Sequence, residues 1–452
     1  MIAIVFKVLV AAAAGLLGAW VLRYRELEKL AESRFVAVAL GVQLIPAIGL
    51  FVALYVVGHQ EPTSDVPAYY MPAARAVLAG QVPFRDFTLS YAPLFPYVGA
   101  ALLSVWNSGK AFAVFALVMN AATLLAWHAT ARQLFDRRTA REASVLFAAS
   151  GHVLVQAMLG TNQTWIAAAL AATVLLLVSG RSTSAGLVQG LAVVAVKFLV
   201  LLFWPVLWMS AARKLSWLYG ALVLSIAVYA TFAVGGADLL YPLRHEGELT
   251  SSANLPYLIE PLLGLDSHLA YRLFDGAALL ALGATTVWLY IKARRAPEST
   301  TRWLLVPGLA LTQLVFMLVS KKSFTVYALF CMYPLIVVLL QGLTDYRRRV
   351  AFFVVFNILL AMESSLWFHL GGNNKALSAW LYERHDTGVL FFLAVDLALI
   401  VGYAYLAWLA IRLLHANEPA SLGRAPTSPL DELQATRQGV DARGDGIAID
   451  HM

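Results

Sequence analysis

The residue best suited to chemistry is Asp65, which lies in the first long polar interruption between hydrophobic segments, residues 58–90. A carboxylate held beside a membrane can act as a general base that takes a proton from an acceptor hydroxyl. Ser64 and Asp65 are also residue types that cap helix N-termini, and a short amphipathic helix is predicted directly after them. The sequence leaves the catalytic and the capping interpretations of Asp65 open.

A second carboxylate, Asp86, follows in the same polar segment within the run PFRDF. It is placed to pair with Arg85 or Arg75 and so to hold the loop together. The alternative is a direct role in positioning an acceptor or in binding a metal. Asp86 and Arg75 are therefore candidate substrate-binding residues.

Three lysines supply positive charge near predicted membrane boundaries. Lys197 lies near the middle of a hydrophobic stretch, and an ammonium there can neutralise a phosphate leaving group or pair with a lipid headgroup. Lys321 and Lys322 end another hydrophobic segment, where they either bind an anion or extend to lipid phosphates. Ser323 and Tyr327 follow four residues apart and share one face if the segment is helical.

Other catalytic motifs are absent from the sequence. Its histidines are scattered and none lies in an H-E-x-x-H spacing, which disfavours a catalytic zinc site. There is no Walker sequence, no G-x-G-x-x-G after a strand and no nucleophile elbow. If the protein transfers a chemical group, the donor of that group is therefore not expected to be ATP or a cytosolic nucleotide sugar. No metal ligand is predicted, and the one cofactor left open is Mg²⁺ or Mn²⁺, which carbonyl-rich loops bind without a recognisable spacing.

Composition assigns the chain to the membrane proteins. Of its 452 residues, 60% are hydrophobic and only 13% are charged, with a mean hydropathy of +0.73, which is more apolar surface than a soluble core can bury. The net charge of +7 comes from short basic clusters beside hydrophobic segments, the pattern of residues retained on the cytoplasmic side. Nucleic acid is therefore not an expected partner, whereas membrane lipids are.

Hydrophobic segments of near membrane length recur along the chain. A helical span needs roughly 20 apolar residues, and strand-like alternation is absent, so an all-α polytopic transmembrane bundle is predicted. The segments lie at about 2–22, 35–57, 111–131, 143–158, 163–179, 215–234, 269–291, 303–319, 324–343, 350–368 and 388–414.

Placing the basic clusters on the cytoplasmic side requires two irregular segments. Residues 91–106 are predicted to form a juxtamembrane or re-entrant helix, because a crossing there would put the basic run 132–141 outside. Residues 185–209 must enter and return as two half-length helices of about 13 residues each, with Lys197 at the turn. This path gives about 13 crossings, with the N-terminus outside and the C-terminus inside.

The same topology gathers four polar segments on the outer face, namely residues 58–90, 160–164, 235–267 and 369–386. We expect one transmembrane domain over residues 1–415, with juxtamembrane helices in its first extracytoplasmic loop, residues 58–110. Residues 416–452 lack apolar periodicity and are predicted to form a disordered cytoplasmic tail.

Several motifs in these segments resemble a known family. The run D-x-x-x-Y, from Asp65 to Tyr69, is followed by A-x-x-A-V-L-x-G, V-P-F-R-D-F and Y-A-P-L-F-P-Y, which begins at Tyr91. This order is similar to the first outer loop of GT-C-fold glycosyltransferases, and more narrowly to that of bacterial polyprenol-phosphate-mannose-dependent mannosyltransferases. Further matches are G-T-N-Q-T at 160–164, A-V-K-F-L-V-L-L-F-W-P around Lys197, S-S-A-N-L-P-Y-L-I at 251–259 and S-K-K-S-F-T-V-Y-A-L-F-C-M-Y-P at 320–334.

The resemblance implies an inverting transfer of a hexose, with mannose as the first candidate, from a polyprenyl-phosphate donor to a lipid or glycan acceptor outside the inner (plasma) membrane. Asp65 then matches the catalytic base, and Lys197 matches a residue near the donor phosphate. Lys321 and Lys322 are implied as further phosphate ligands. The implied substrate-binding residues are Tyr69, Arg75, Asp86, Tyr91, Asn162, Gln163, Ser323 and Tyr327.

The chain departs from the family pattern at four positions. Ser90 stands where many relatives have an acidic residue, and Ala92 replaces the first of two prolines. Phe324 and Val326 stand where a histidine often precedes the tyrosine. These departures leave open the identity of the sugar and of any second carboxylate, for which Asp86 is the candidate.

A transporter or lipid flippase is the leading alternative. Transporters place ionisable residues near the bilayer midplane and often show repeat symmetry, whereas the polar residues here gather in loops and the sequence has no internal repeat. A weaker alternative is a non-catalytic assembly subunit of the cell envelope, which would tolerate loss of Asp65.

Overall fold

The computed structural model describes residues 2–23, 25–63, 65–248, 250–263, 267–295, 298–369 and 387–415. Within these ranges the chain consists of helices and connecting turns and contains no β-strand. The predicted tail, residues 416–452, lies outside the described residues, as do Ser64 and most of the predicted outer loop 369–386.

The α-helices begin and end close to the predicted segments. Their bounds are α1 Ile2–Leu22, α2 Glu32–Phe51, α3 Met71–Leu78, α4 Phe95–Val105, α5 Lys110–Leu134, α6 Arg137–Ala148, α7 Gly151–Met158, α8 Gln163–Val178, α9 Ser182–Ala195, α10 Trp204–Ser210, α11 Lys214–Val234, α12 Tyr241–Glu248, α13 Leu255–Leu263, α14 Ser267–Arg295, α15 Glu298–Val319, α16 Met332–Gly342, α17 Tyr346–His369 and α18 Thr387–His415. A π-helical segment extends α2 to Val57, and a 3-10 helix, Thr325–Cys331, precedes α16. Every segment predicted as a hydrophobic span is helical, so the all-α prediction is confirmed.

Eight helical segments in the described ranges are long and apolar enough to cross a membrane. They are α1, α2 with its π-helical extension, α5, α11, α14, the segment Thr325–Gly342, α17 and α18. Large apolar side chains on α1, α11 and α14 remain exposed, which suits helices that face lipid. The chain is therefore an all-helical, multi-pass membrane protein. The count of about 13 crossings stays a prediction.

One end of the bundle collects arginine side chains. Arg141, near the start of α6, donates to the carbonyl of Leu30 at 2.8 Å and pairs with Glu32 at 3.0 Å. Arg349 of α17 approaches the same helix, with its Nη1 3.4 Å from a carboxylate oxygen of Glu142. These residues define what we call the basic end, where several of the predicted cytoplasmic clusters meet.

Helices α9 and α11 pack side by side and run in the same direction. Gly186 of α9 lies against Trp217, and Gly190, one turn further along, lies against Ala221, one turn further along α11. The backbones touch so closely that a Cβ atom at Gly186 would overlap the Trp217 carbonyl oxygen. Because α9 and α11 run in parallel, the chain between them, which includes α10, must travel back to the end at which α9 begins.

The returning chain turns at Lys197, as predicted. Helix α9 ends at Ala195, Lys197 adopts an extended backbone with φ −164° and ψ 143°, and a 3-10 helix, Phe198–Phe203, leads into α10. The N–H of Arg213 then donates to the hydroxyl of Ser182, 3.2 Å away, at the start of α9. The chain has returned to the end from which it left, so the predicted reversal is present, although its returning half is a 3-10 helix followed by the short α10. The position of this reversal within a membrane stays a prediction.

At the opposite end of the bundle, three of the four predicted outer segments contact one another. A Cβ atom at Gly160 would lie 3.1 Å from the side chain of Val66, so the turn at 160–164 touches the first loop. The N–H of Asp238 donates to the carbonyl of Phe84 at 3.0 Å, which joins the first loop to the segment after α11. We call this end, formed by these three segments, the loop end.

Candidate active site

Asp65 begins a helix whose first turn is widened. Residues Val66–Tyr70 form a π-helical turn that continues as α3. A π turn pairs residue i with i+5 rather than with i+4, so Tyr70, and not the predicted Tyr69, meets Asp65. Tyr70 is fully buried, whereas Tyr69 is 55% exposed. Asp65 occupies the N-cap position of this helix, with no side-chain capping bond to the described residues, and the other candidate cap, Ser64, lies outside them.

Two tyrosine hydroxyls donate to the same carboxylate oxygen of Asp65. The hydroxyl of Tyr91 lies 2.9 Å from Asp65 Oδ2, and that of Tyr70 lies 3.4 Å from it. The Tyr70 oxygen also accepts a hydrogen bond from the backbone N–H of Asn162 at 3.2 Å. Three separate parts of the chain therefore meet at Asp65, namely its own helix, the loop before α4 and the turn before α8.

Both hydroxyls keep their protons at physiological pH. Burial raises the pKa of Tyr70 and of Tyr91 well above the ordinary value of 10.0, and the Asp65 carboxylate raises both further. They therefore act as donors, and donation to a carboxylate favours its ionised form. An ionised carboxylate is the state that a general base needs.

The loop that carries Tyr91 docks on the break after α9. The N–H of Ala92 donates to the carbonyl of Val196 at 3.2 Å, and the N–H of Leu94 donates to that of Val194 at 2.8 Å. Carbonyls at a helix end lack intrahelical partners, and the loop supplies them. A proline has no N–H, so the departure from the family pattern at Ala92 provides a hydrogen bond that proline could not make.

The ammonium of Lys197 lies close to two tyrosine rings. Its Nζ is 5.6 Å from the ring centroid of Tyr91 and 5.7 Å from that of Tyr327, and it donates to the Tyr327 hydroxyl at 3.3 Å. Cations are attracted to the faces of aromatic rings at such distances. Tyr91 thus contacts Asp65 through its hydroxyl and Lys197 through its ring. We call Asp65, Tyr70, Tyr91, Lys197 and Tyr327 the tyrosine cluster.

The predicted phosphate ligand Lys321 has a carboxylate partner in the structure. Its ammonium lies 2.9 Å from a carboxylate oxygen of Asp275 on α14, and its side chain is only 3% exposed. It also donates to the carbonyl of Tyr271 at 3.3 Å, and its own carbonyl accepts from the N–H of Ser251 at 2.7 Å. Lys321 therefore joins α14, α15 and the outer segment before α13. The adjacent Lys322 is partly exposed.

Asp86 clamps its own loop. Arg85 Nε and Nη2 each lie 2.9 Å from one of the two Asp86 carboxylate oxygens, and the N–H of Val82 donates to Oδ2 at 2.7 Å. The Arg85 guanidinium, helped by the Val82 N–H, lowers the pKa of Asp86 to about 2. Of the two pairings considered from the sequence, the one with Arg85 is present.

Three other predicted residues occupy varied surroundings. Tyr69 and Arg75 are exposed at the surface of the first loop. The hydroxyl of Ser323 donates to the carbonyls of Met317 and Ser320, at 2.9 and 2.8 Å, and so closes the C-terminal end of α15. The expected shared face of Ser323 and Tyr327 is not formed, because the 3-10 helix begins only at Thr325.

The predicted pair Asn162 and Gln163 adds polar atoms next to the tyrosine cluster. Both side chains are buried. Among the described residues, the two amide atoms of Asn162 and the Oε1 of Gln163 have no hydrogen-bond partner. Buried amides without partners are costly, and amides bind hydroxyl groups as donors and as acceptors. These atoms therefore have donor and acceptor capacity that no described residue uses.

A buried carboxylate that sequence reasoning missed, Glu363 of α17, lies behind the 3-10 helix of Tyr327. It accepts hydrogen bonds from the hydroxyls of Ser252 and Thr325. Thr325 begins that 3-10 helix, so Glu363 anchors both the helix and the outer segment 251–254. The available signal was an acidic residue inside a hydrophobic segment, which is rare without a role.

Comparison with known proteins adds no assignment. No protein-family model and no curated protein matches this chain. In the ranges that the structure describes, no group of three or more His, Cys, Asp or Glu residues could hold a metal ion. The tyrosine cluster is therefore the feature of the molecule that points to a function.

Proposed function

We propose that the chain is an inverting membrane glycosyltransferase. It transfers a hexose, with mannose as the first candidate, from a polyprenyl-phosphate donor to a lipid or glycan acceptor. The loop end faces the outside of the plasma membrane, and the bundle crosses that membrane about 13 times. The proposal extends the resemblance of the loop motifs to GT-C-fold enzymes.

The double contact made by Tyr91 is the observation that carries the proposal. Its hydroxyl donates to Asp65 at 2.9 Å, and its ring centroid lies 5.6 Å from the ammonium of Lys197. Glycosyl transfer from a phosphate needs a base at the acceptor hydroxyl and a cation at the departing phosphate. The two groups must be separated by no more than the width of one sugar ring. A carboxylate and an ammonium from distant parts of the chain are held here by one side chain.

The reaction follows from these positions. Asp65 takes the proton of the acceptor hydroxyl while that oxygen attacks the anomeric carbon of the donor. The bond from the anomeric carbon to the phosphate oxygen breaks, and the polyprenyl phosphate leaves with the electron pair. Lys197 stabilises the charge that develops on the phosphate, and Asp65 later releases its proton to water. One direct displacement inverts the anomeric configuration.

The neighbouring polar residues supply the substrate contacts. The buried amides of Asn162 and Gln163 bind sugar hydroxyls, because their unpaired atoms lie beside the tyrosine cluster. Lys197 is the main phosphate ligand, because its ammonium lies against the ring of Tyr91, whose hydroxyl donates to Asp65. Lys321 and Lys322 are the further candidates.

Replacement of Asp65 by Asn tests the proposal. The substitution keeps the size of the side chain and removes the base, so transfer should fall about 100- to 10 000-fold. The measurement is transfer of labelled hexose from a polyprenyl-phosphate donor by the purified protein in liposomes, together with the envelope glycans of cells that carry the variant.

The matched control is Asp238→Asn, the same change at the loop end. Asp238 forms an exposed ion pair with Arg244, and such pairs contribute little, so transfer should stay at the wild-type rate. Unchanged glycans in Asp65→Asn cells with normal protein levels would contradict the proposal. Product with the donor's own anomeric configuration would exclude the direct displacement.

A further inference from the structure

Tyr91 is fixed from several directions at once. Its ring stacks on that of Phe95 with 4.6 Å between centroids and meets the ring of Tyr70 edge-on at 5.2 Å. The backbone directly after it is bonded to the end of α9 through Ala92. A side chain held in this way can swing little, so its hydroxyl is kept in place next to Asp65.

The hydroxyl of Tyr70 is directed to the same place. Its oxygen accepts the N–H of Asn162 at 3.2 Å, and a hydroxyl that accepts on one side has its single hydrogen left to donate on another. That hydrogen reaches Asp65 Oδ2, at the longer distance of 3.4 Å. The contact from Tyr91, at 2.9 Å, is within normal hydrogen-bond length and is the stronger of the two.

We propose that Tyr91 is a positioning residue whose hydroxyl, assisted by that of Tyr70, holds Asp65 as an oriented carboxylate beside Lys197. The titratable groups that form the tyrosine cluster with Asp65 come from four elements. Tyr70 belongs to its own helix, Tyr91 to the loop before α4, Lys197 to the break after α9, and Tyr327 to the 3-10 helix. Only the use of Asp65 as a base rests on the proposed function.

The substitution Tyr91→Phe isolates the hydroxyl. Phenylalanine keeps the ring that stacks on Phe95 and lies near Lys197, so the donated hydrogen bond is the one contact removed. A hydrogen bond to a charged group stabilises that charge by about 1.5 kcal/mol or more. Its loss should therefore raise the pKa of Asp65 by about one unit.

The pH dependence of chemical labelling measures this change directly. A water-soluble carbodiimide with an amine nucleophile reacts with protonated carboxyl groups, so labelling of the Asp65 peptide falls as Asp65 ionises. We expect the midpoint for Tyr91→Phe to lie about one pH unit above that of the wild type. Tyr70→Phe should shift it in the same direction by less, because its contact is longer. Tyr97→Phe, the same change on α4, should leave the midpoint unchanged.

A transfer assay separates positioning from a packing defect. Lost positioning moves the acid limb of the pH–rate profile upward by the same amount as the labelling midpoint, whereas a packing defect lowers the rate equally at every pH. A Tyr91→Phe midpoint equal to that of the wild type overturns the inference, whatever the rate of transfer. A shifted midpoint in a protein that transfers no sugar supports the inference and removes the proposed function.

Discussion

Two buried cations, Arg141 at the basic end and Lys197 at the loop end, differ in the contacts described for them. Lys321, also at the loop end, pairs with a carboxylate as Arg141 does. At the basic end, Arg141 pairs with the carboxylate of Glu32 and donates to the carbonyl of Leu30. At the loop end, Lys197 donates to the hydroxyl of Tyr327 and lies close to two aromatic rings. A phenol is neutral, so the bond from Lys197 to Tyr327 fixes the position of the ammonium without cancelling its charge.

The backbones that carry these groups differ as well. The charged side chains at the basic end come from regular α-helices. Their network continues through His128 of α5, whose ring nitrogens lie 2.6 Å from Glu32 Oε1 and 2.8 Å from Ser144 Oγ. The tyrosine cluster comes from a π turn, a loop, a broken helix and a 3-10 helix. Charges at the basic end join helix to helix, whereas those at the loop end are presented by irregular backbone, as is usual at functional sites.

Loss of Arg141 should have the largest effect on stability. Arg141→Met removes a buried guanidinium that pairs with the partly exposed Glu32 and donates to the carbonyls of Leu27 and Leu30. We expect a loss of about 3 kcal/mol, at the lower end for a broken buried pair because Glu32 keeps His128 and contact with solvent. Thermal unfolding in detergent measures it. The control Arg138→Met removes an arginine that is 67% exposed and should cost less than about 1 kcal/mol.

Lys197→Gln, in contrast, should lower the transfer activity and leave the stability of the fold unchanged. Transfer should fall about 100-fold, because a cation that stabilises the departing phosphate is gone, while the unfolding temperature stays near that of the wild type. The control Lys214→Gln changes an exposed lysine at the start of α11 and should leave transfer unchanged. If Lys197→Gln instead unfolded as readily as Arg141→Met, the distinction between the two ends would fail.

The smallest effect should come from Asp86. Its pKa is lowered from 3.8 to about 2, so its ion pair stabilises the loop above pH 4, and this contribution is lost as the pH falls from about 4 to about 2. A nitroxide label at the exposed Thr88, introduced through Thr88→Cys, should gain mobility over that range. With Asp86→Asn added, the label should already be mobile at pH 6 and should not respond to acid. A wild-type label that stays immobile at pH 2 would contradict the clamp.

Much of the fold was predictable because the length of a hydrophobic segment and the charges beside it are properties of the local sequence. The helical segments and the turn at Lys197 follow from span length and from basic residues that must stay on one side. In the structure, α9 ends at Ala195, two residues before Lys197. The pairing of Lys321 with Asp275 was not predictable, because it joins helices whose relative rotation no local pattern records.

The candidate site was predicted in part, and the absence of Tyr70 from the predicted residues has a simple geometric cause. The resemblance implied Tyr69, which stands four residues after Asp65, the spacing at which an α-helix would bring two side chains together. The turn is a π turn, so the residue five positions on, Tyr70, faces Asp65 instead. Glu363 was missed for another reason, since periodicity marks a helix as apolar but does not say which of its few charged residues will find hydroxyl partners.

The hydrogen bonds from Ala92 and Leu94 to Val196 and Val194 also set an order of events during synthesis. The acceptor carbonyls leave the ribosome about a hundred residues after the donors, a delay of about 5–20 seconds at ordinary translation rates. Throughout that interval the nascent first loop lacks the surface on which it finally rests. A ribosome stalled before residue 194 would hold a chain with an inserted first loop and an unassembled centre, whereas release after residue 196 would allow the two to join.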